Sequence, residues 1–406
     1  MRTRTILVVT AVIILALAIT AFAQDASPAQ GTITAPPSTR GLAQLKVRTP
    51  LYIFHPDGII PDATNPPPNA ETPGSIACIY GVTAPTSGCA RSGSPLATGG
   101  AKAIAVVDYG HNSTLQSDFD HFNAQYGLPT QTLQFISDCQ SPPSNNGTGW
   151  DLETALDAEY SHAMAPNAQI IIAQFCNDPF ETGMQAAEYL AGQAVAGFGG
   201  GEVSNSFGYG GEFAGENSWD QFMHVNGIVY FTSAGDSGLG PDYPSVSPNT
   251  VSAGGTTVRR DGNGNFTGEE DCWNGSGGGI STMEPAQQYQ LFIGNKTGPH
   301  RGTPDWAADA NPGSGVAVYS STGCNGWCQV GGTSLSSPML AGIINHAGHF
   351  HANTAQQLTP TYQWYLQPVR YHTDFYDVTV GSNGAPAVPG WDRCTGLGSP
   401  RKSSDF

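Results

Sequence analysis

The chain is poor in positive charge: Lys and Arg together number 15 of 406 residues against 32 Asp and Glu, a formal net charge of −17. A surface with so few cations cannot displace the counterions of a phosphate backbone, so no nucleic acid is expected as a partner. Charge of either sign is scarce, at 12% of residues where about 25% is ordinary for a soluble domain. Beyond the first two dozen residues no apolar run approaches the ~20 residues that a bilayer span needs. What the chain holds in quantity is glycine (52) and proline (30), with 39% hydrophobic and 10% aromatic residues. That mixture fills a sizeable core connected by tight turns, and it is a poor fit to a disordered chain. With a sequence pI near 4.7, the surface approaches neutrality in acid, which suits an acidic workplace.

Arg2 and Arg4 precede an apolar run from Ile6 to about Ala21, and Ala21-Phe22-Ala23 puts small residues at the positions a signal peptidase reads. Residues 1–23 therefore read as a secretory signal cleaved after Ala23; the alternative, an uncleaved anchor, has a short run for a span. The expected destination is extracellular, with no stable membrane association after signal removal. Cys78, Cys89, Cys139, Cys176, Cys272, Cys324, Cys328 and Cys394 form an even set, and on an exported chain such a set favours disulfides. Cys78/Cys89 and Cys324/Cys328 are candidate pairs. Zinc is the other reading of the Cys324-to-Cys328 spacing, but no second close pair or suitably spaced histidine accompanies it.

Residues 24–100, rich in Pro, Thr, Ser and Gly and containing Pro66-Pro67-Pro68, read as an irregular N-terminal extension. The compact domain is expected over residues 101–406. Apolar strand-like runs at Ala103–Asp108, Gln169–Phe175, Val203–Ser206 and Ile228–Thr232 alternate with helical patterns near Ser113–Tyr126, Trp150–Met164 and Glu181–Ala196. This order predicts an α/β fold, a mostly parallel central sheet with helices on both faces.

Four positions could carry chemistry. Gly332-Thr333-Ser334-Leu335-Ser336-Ser337-Pro338 runs into the apolar stretch Met339–Ile344, placing Ser334 at a helix N-terminus whose N–H groups and positive dipole end can hold an oxyanion. A plain N-cap is the alternative. Glu153 and Asp157 stand four apart on a predicted helix and share one face. Crowded together in a cleft they cannot both ionise easily, so a carboxylate base becomes workable in acid, where an imidazole would be protonated. A solvated helix face is the alternative there. Asp236 follows the strand Ile228–Thr232, at the sheet edge where such folds place their sites; a turn-forming Asp is the plainer reading. Within Trp273–Gly279, the small residues Ser276, Gly277, Gly278 and Gly279 offer bare backbone that could pair with an extended peptide.

Glu153, Asp157, Asp236 and Ser334, in that order and context, resemble the sedolisins, serine-carboxyl peptidases on a subtilisin-like fold. Ala165-Pro166-Asn167-Ala168, Tyr243-Pro244-Ser245-Val246-Ser247-Pro248, Gly254-Gly255-Thr256-Thr257 and Gly302-Thr303-Pro304-Asp305-Trp306 extend the likeness over about residues 101–400. The resemblance implies a secreted endopeptidase acting on proteins or peptides at acidic pH, as a monomer. Ser334 would attack the carbonyl, Glu153 take its proton, Asp157 share charge with Glu153, and a protonated Asp236 donate to the oxyanion. It also implies one structural Ca²⁺, held by the side chains of Asp377 and Asp392 and the carbonyls of Val378, Val388 and Gly390, hard oxygen ligands of the kind calcium takes. Two features depart from the family: only about 75 residues separate Ala23 from the first core strand where a long folded prosegment is usual, and Phe207 stands where Trp is common. Rival readings are a Ser-His-Asp subtilisin using Asp108, for which none of the ten histidines is followed by Gly-Thr, and a secreted binding scaffold of this fold without catalysis.

Overall fold

The computed structural model describes residues 30–57, 64–176, 183–402, 404 and 406; the expected signal segment lies outside them. The described chain starts with β1 (Gly31–Thr34), α1 (Pro37–Arg40), β2 (Tyr52–Pro56) and α2 (Pro73–Ile79). Strands and helices then alternate: β3 (Ala103–Tyr109), α3 (Leu115–Tyr126), β4 (Gln134–Ser137), α4 (Trp150–Met164), β5 (Gln169–Phe175), α5 (Gly183–Gly197), β6 (Gly201–Asn205) and β7 (Ile228–Ser233). Next come β8 (Thr250–Arg260), β9 (Phe266–Cys272), β10 (Gly279–Pro285), α6 (Gly294–Thr297), β11 (His300–Thr303), β12 (Trp306–Asp309), β13 (Val316–Ser320), β14 (Gly326–Gly331) and α7 (Thr333–Ala347).

The main sheet runs β12-β8-β7-β6-β3-β5-β4, and every neighbouring pair along it is parallel. Parallel strands must be covered on both faces, and β3 shows how: Ile104 and Val106 enter one core, Ala103, Ala105 and Val107 the other. Helices α4 and α7 pack together on the first face, and α5 covers the second. The α/β reading holds.

The stretch read as an irregular extension is, in its described part, built into the fold. Strand β2 pairs antiparallel with β14, giving a second sheet β1-β2-β14-β13. Helix α2 is buried along its length, with Thr72 closing a capping box and proline at its first turn, so the polar, proline-bearing composition here marks a helix start. Leu51, Ala70, Ile76 and Tyr80 share one core with α4 and α7. All eight cysteines pair, as Cys78–Cys89, Cys139–Cys176, Cys272–Cys394 and Cys324–Cys328, which bears out both anticipated neighbours and removes zinc. Among the described residues no helix is long and apolar enough to cross a membrane.

Candidate active site

Helix α4 is buried at all of its positions although it carries Asp151, Glu153, Asp157 and Glu159. It begins after Gly149, whose φ of 92° suits glycine, and Asp151 gathers the backbone N–H groups of Gly147, Gly149 and Leu152 at 2.7, 3.1 and 3.1 Å. Its first turn is thus tied down by its own carboxylate. One turn apart, Glu153 and Asp157 look the same way. Asp157 Oδ1 accepts from the Ser206 hydroxyl at 2.9 Å, while Asp157 Oδ2 and both Glu153 oxygens find no hydrogen-bond partner. Burial raises both carboxyls well above the usual carboxylate range, and each is pushed further by the other acids around it, Asp108 foremost among them for Asp157.

Asp108, near the end of β3, is the third member of this group, and sequence reasoning noticed it only as part of a rival reading. It is fully buried with both oxygens unpartnered, and burial pushes it up to about 8. The signal was there, an acid closing an otherwise apolar strand. Three carboxyls buried against one another cannot all ionise, so protons are retained and shared among them.

Helix α7 brings Ser334. Gly332 precedes it with φ 126°, and a Cβ there would lie 2.6 Å from Asp236 Oδ2 and 2.0 Å from the Pro50 carbonyl oxygen, so glycine is required. Asp236 Oδ1 accepts from the Thr333 N–H and hydroxyl, both at 2.8 Å, whereas Asp236 Oδ2 is buried and unpartnered. Burial, opposed by those two bonds, pushes its carboxyl up to about 7. Asp236 Oδ2 and the Pro50 carbonyl oxygen, which accepts the Ser334 N–H at 3.2 Å, both border one notch beside Gly332. Pro338 inside α7 removes the N–H that would bond the Ser334 carbonyl, and that carbonyl is left with the longer arm, 3.3 Å, of a hydroxyl proton that Ser206 shares with Asp157. The Ser334 hydroxyl donates to the Ser206 carbonyl at 3.4 Å. It lies near enough to Glu153 to favour its ionised form, as does Thr49; neither meets hydrogen-bond geometry, so proton transfer requires a turn of the Ser334 side chain.

The glycine run needs a correction. Gly277 N–H donates to Gly235 at 2.7 Å, Gly278 exchanges bonds with Gly240, Gly279 N–H donates to Thr303, and the Ser276 hydroxyl donates to Cys394 at 2.8 Å. Its backbone groups are consumed inside the fold, so these residues buttress the loop carrying Asp236 and leave no free ladder for a peptide. The backbone of Gly208, two residues after Ser206, instead exchanges both N–H···O bonds with Arg48 in an isolated antiparallel bridge.

In the C-terminal loop Asp377 accepts from the Gly390 N–H at 3.0 Å, and Asp392 from the N–H groups of Val388, Cys394 and Thr395 at 2.8–3.0 Å. Both carboxylates bear on Tyr371 and on Lys296 of α6, which donates to the carbonyls of Pro389 and Trp391. Two carboxylates converging on one neighbourhood, on a loop anchored by Cys272–Cys394, fit a hard divalent cation with Asp377, Val378, Val388, Gly390 and Asp392 as the residues to hold it. Asp138, Cys139 and Cys176 also cluster, but their sulfurs are joined to each other.

This fold is that of a subtilase. The profile of the subtilase family matches residues 144–368, more than half the chain, and the protein belongs to that family. Within it, the chain is similar to kumamolisin of Bacillus sp. (strain MN-32), 28% identical over 341 residues covering 74% of this chain and 59% of that one. Sedolisin of Pseudomonas sp. (strain 101) is 26% identical, covering 73% and 56%, and xanthomonalisin of Xanthomonas sp. (strain T-22) is 26% identical, covering 88% and 49%. The chain thus spans about half to three-fifths of the length of these relatives. In three dimensions it resembles Pseudomonas sedolisin, a serine-carboxyl proteinase solved with two molecules of pseudo-iodotyrostatin, at TM-score 0.65 and 23% identity over 83% of this chain and 96% of that one.

Proposed function

We propose that the protein is a secreted serine-carboxyl endopeptidase that hydrolyses proteins or peptides in acid. The observation that carries this reading is the buried Asp236 carboxyl, neutral below about pH 7, with its free oxygen facing the same notch as the Ser334 N–H. Ser334 is the nucleophile, Glu153 its base, and Asp157 the partner that shares a single negative charge with Glu153. Asp236 and the Ser334 N–H stabilise the oxyanion. Activity on an unfolded protein should fall as pH rises through about 7, because an ionised Asp236 repels the oxyanion it must serve. The test is a pH–rate profile beside Ser334→Ala; full activity at pH 8 would replace this assignment with a hidden imidazole base.

Calcium at the C-terminal loop would be structural and stabilise the folded chain by mass action. Burial raises the Asp392 carboxyl, so affinity falls as the pH drops and protons compete for its oxygens. EDTA at pH 5–6 is expected to lower the melting temperature, and Asp392→Ala to abolish that sensitivity. Equal melting with excess calcium and with EDTA would remove the metal while leaving the peptidase reading in place.

A further inference from the structure

The turn that carries Asp236 is held from two sides. Strand β7 ends at Ser233, and the backbone runs on through Gly235, Asp236, Ser237 and Gly238 to Leu239. On the side of helix α7, Thr333 bonds Asp236 Oδ1 and its hydroxyl accepts the Gly235 N–H at 3.1 Å. On the other side stands Asn383, in the C-terminal loop between Asp377 and Asp392. Its carbonyl accepts the Leu239 N–H at 2.7 Å. Gly238 passes so close that a Cβ there would lie 2.8 Å from the same carbonyl oxygen.

The Asn383 side chain is buried, and each of its polar atoms is bonded. The amide nitrogen donates to the Ser276 carbonyl at 2.8 Å and to the Arg393 carbonyl at 3.0 Å, and the amide oxygen accepts the Ala385 N–H at 3.1 Å. Two carbonyls on one end and an N–H on the other leave the amide a single orientation. Ser276 belongs to the run that grips the same turn: the next residue, Gly277, donates to the Gly235 carbonyl at 2.7 Å, and Gly238 donates to the Gly275 carbonyl at 2.9 Å. Asn383 thus ties the backbone just beyond Asp236 directly, at Leu239, and the backbone just before it through Ser276. Asp236 Oδ2 has no partner of its own, so its place is set by the turn that carries it.

Resting on the peptidase reading, in which Asp236 serves the oxyanion, we infer that Asn383 is a positioning residue for that reaction: it fixes the turn at Leu239 and Ser276 so that Asp236 Oδ2 stands where the oxyanion develops. Asn383 carries no charge and is bonded to neither Ser334 nor the Asp236 carboxyl, so it acts through geometry alone. A reacting or stabilising group misplaced by about 1 Å costs on the order of 100-fold in rate. The bond to the oxyanion exists only in the transition state, so loosening the turn lowers kcat and leaves KM nearly as it was.

Initial rates on an unfolded protein at pH 4, over a range of its concentrations, are compared for wild type, Asn383→Ala, Asp236→Ala and the double variant, each checked for folding by circular dichroism. Asn383→Ala should lower kcat about 10- to 100-fold with KM within about twofold of wild type. In the Asp236→Ala background the same substitution should lower kcat by less than about threefold, because the group it positions is already gone. Asn383→Ser keeps one donor; its kcat should fall between wild type and Asn383→Ala, and it decides the matter if Asn383→Ala does not fold. An unchanged kcat, a loss confined to KM, or the full loss repeated in the Asp236→Ala background overturns the inference and leaves the peptidase reading standing. Failure of both Asn383 variants to fold makes the residue a structural one and overturns the inference too. A wild type that does not hydrolyse the protein overturns both readings.

Discussion

Ser334→Ala, Glu153→Ala and Asp236→Ala are each expected to reduce turnover by orders of magnitude in chains that still fold, and the double variants to lose little more. Ser334 supplies the attacking oxygen, Glu153 its proton acceptor, and both failures stop the same step, so the losses overlap and do not multiply. Removing the Asp236 donor alone should cost about 2.7–4 kcal/mol of transition-state stabilisation, the usual value for one oxyanion donor. Asp236→Asn separates charge from hydrogen bonding. Its amide keeps an N–H donor in the notch at every pH, so this variant should retain part of the rate and lose the decline near pH 7. Losses that multiply in the Ser334/Glu153 pair, measured at one pH with folding checked by circular dichroism, would show that the groups act separately; an unaltered alkaline limb in Asp236→Asn would take the oxyanion role away from Asp236.

The placement of the quartet on its elements was legible in the sequence because each member sits where a local rule puts it, while the choice of these four came from their likeness to the sedolisins. Helix α4 is bounded as its apolar pattern predicts, Trp150–Met164, and an i,i+4 pair on a helix must share a face. Asp236 and Ser334 follow from the strand end and the helix start that carry them. What escaped depends on contacts between segments far apart in the chain. Leu45-Lys46-Val47-Arg48-Thr49 does alternate apolar and polar, yet five residues among prolines and glycines give no periodicity that stands out. Its pairing with Gly208 is a register across some 160 positions that no local pattern encodes. The glycine run failed for the opposite reason: bare backbone was evident, but whether it meets a substrate or its own fold is decided by Gly235, Gly240 and Thr303. Phe207, where Trp was the family's residue, packs against Trp150 and Phe175, so the departure sits in the pocket that receives Val47.

With calcium removed by EDTA, the folded chain should be most stable in acid and lose stability steadily from about pH 4 to pH 8. Burial raises Asp108, Glu188 and Glu202 to about 8 and Asp242 to about 7, whereas the same groups in an unfolded chain titrate near 4. A carboxyl whose folded pKa is raised keeps its proton when the unfolded chain has already released it. Its stabilising effect is therefore complete below about pH 4 and declines as pH rises to the folded value, by about 1.4 kcal/mol per pH unit per group. Two such groups acting over several units would change a total stability of about 5–15 kcal/mol substantially, and the negative charge that accumulates over the same range adds self-repulsion in the same direction. Calorimetry on Ser334→Ala, which avoids self-digestion, should show the melting temperature falling by about 10 °C or more between pH 4 and pH 8. Glu188 offers the local check: it is buried in α5 with Oε1 unpartnered and Asp220 as its charged neighbour. Glu188→Gln should flatten the pH dependence by about one group's share, with Asp220 relieved of a like charge. A melting temperature that stays level or climbs toward pH 8 would mean that these carboxyls are ionised inside the fold, and the protons that Glu153, Asp157 and Asp236 are assigned would lose the same physical ground.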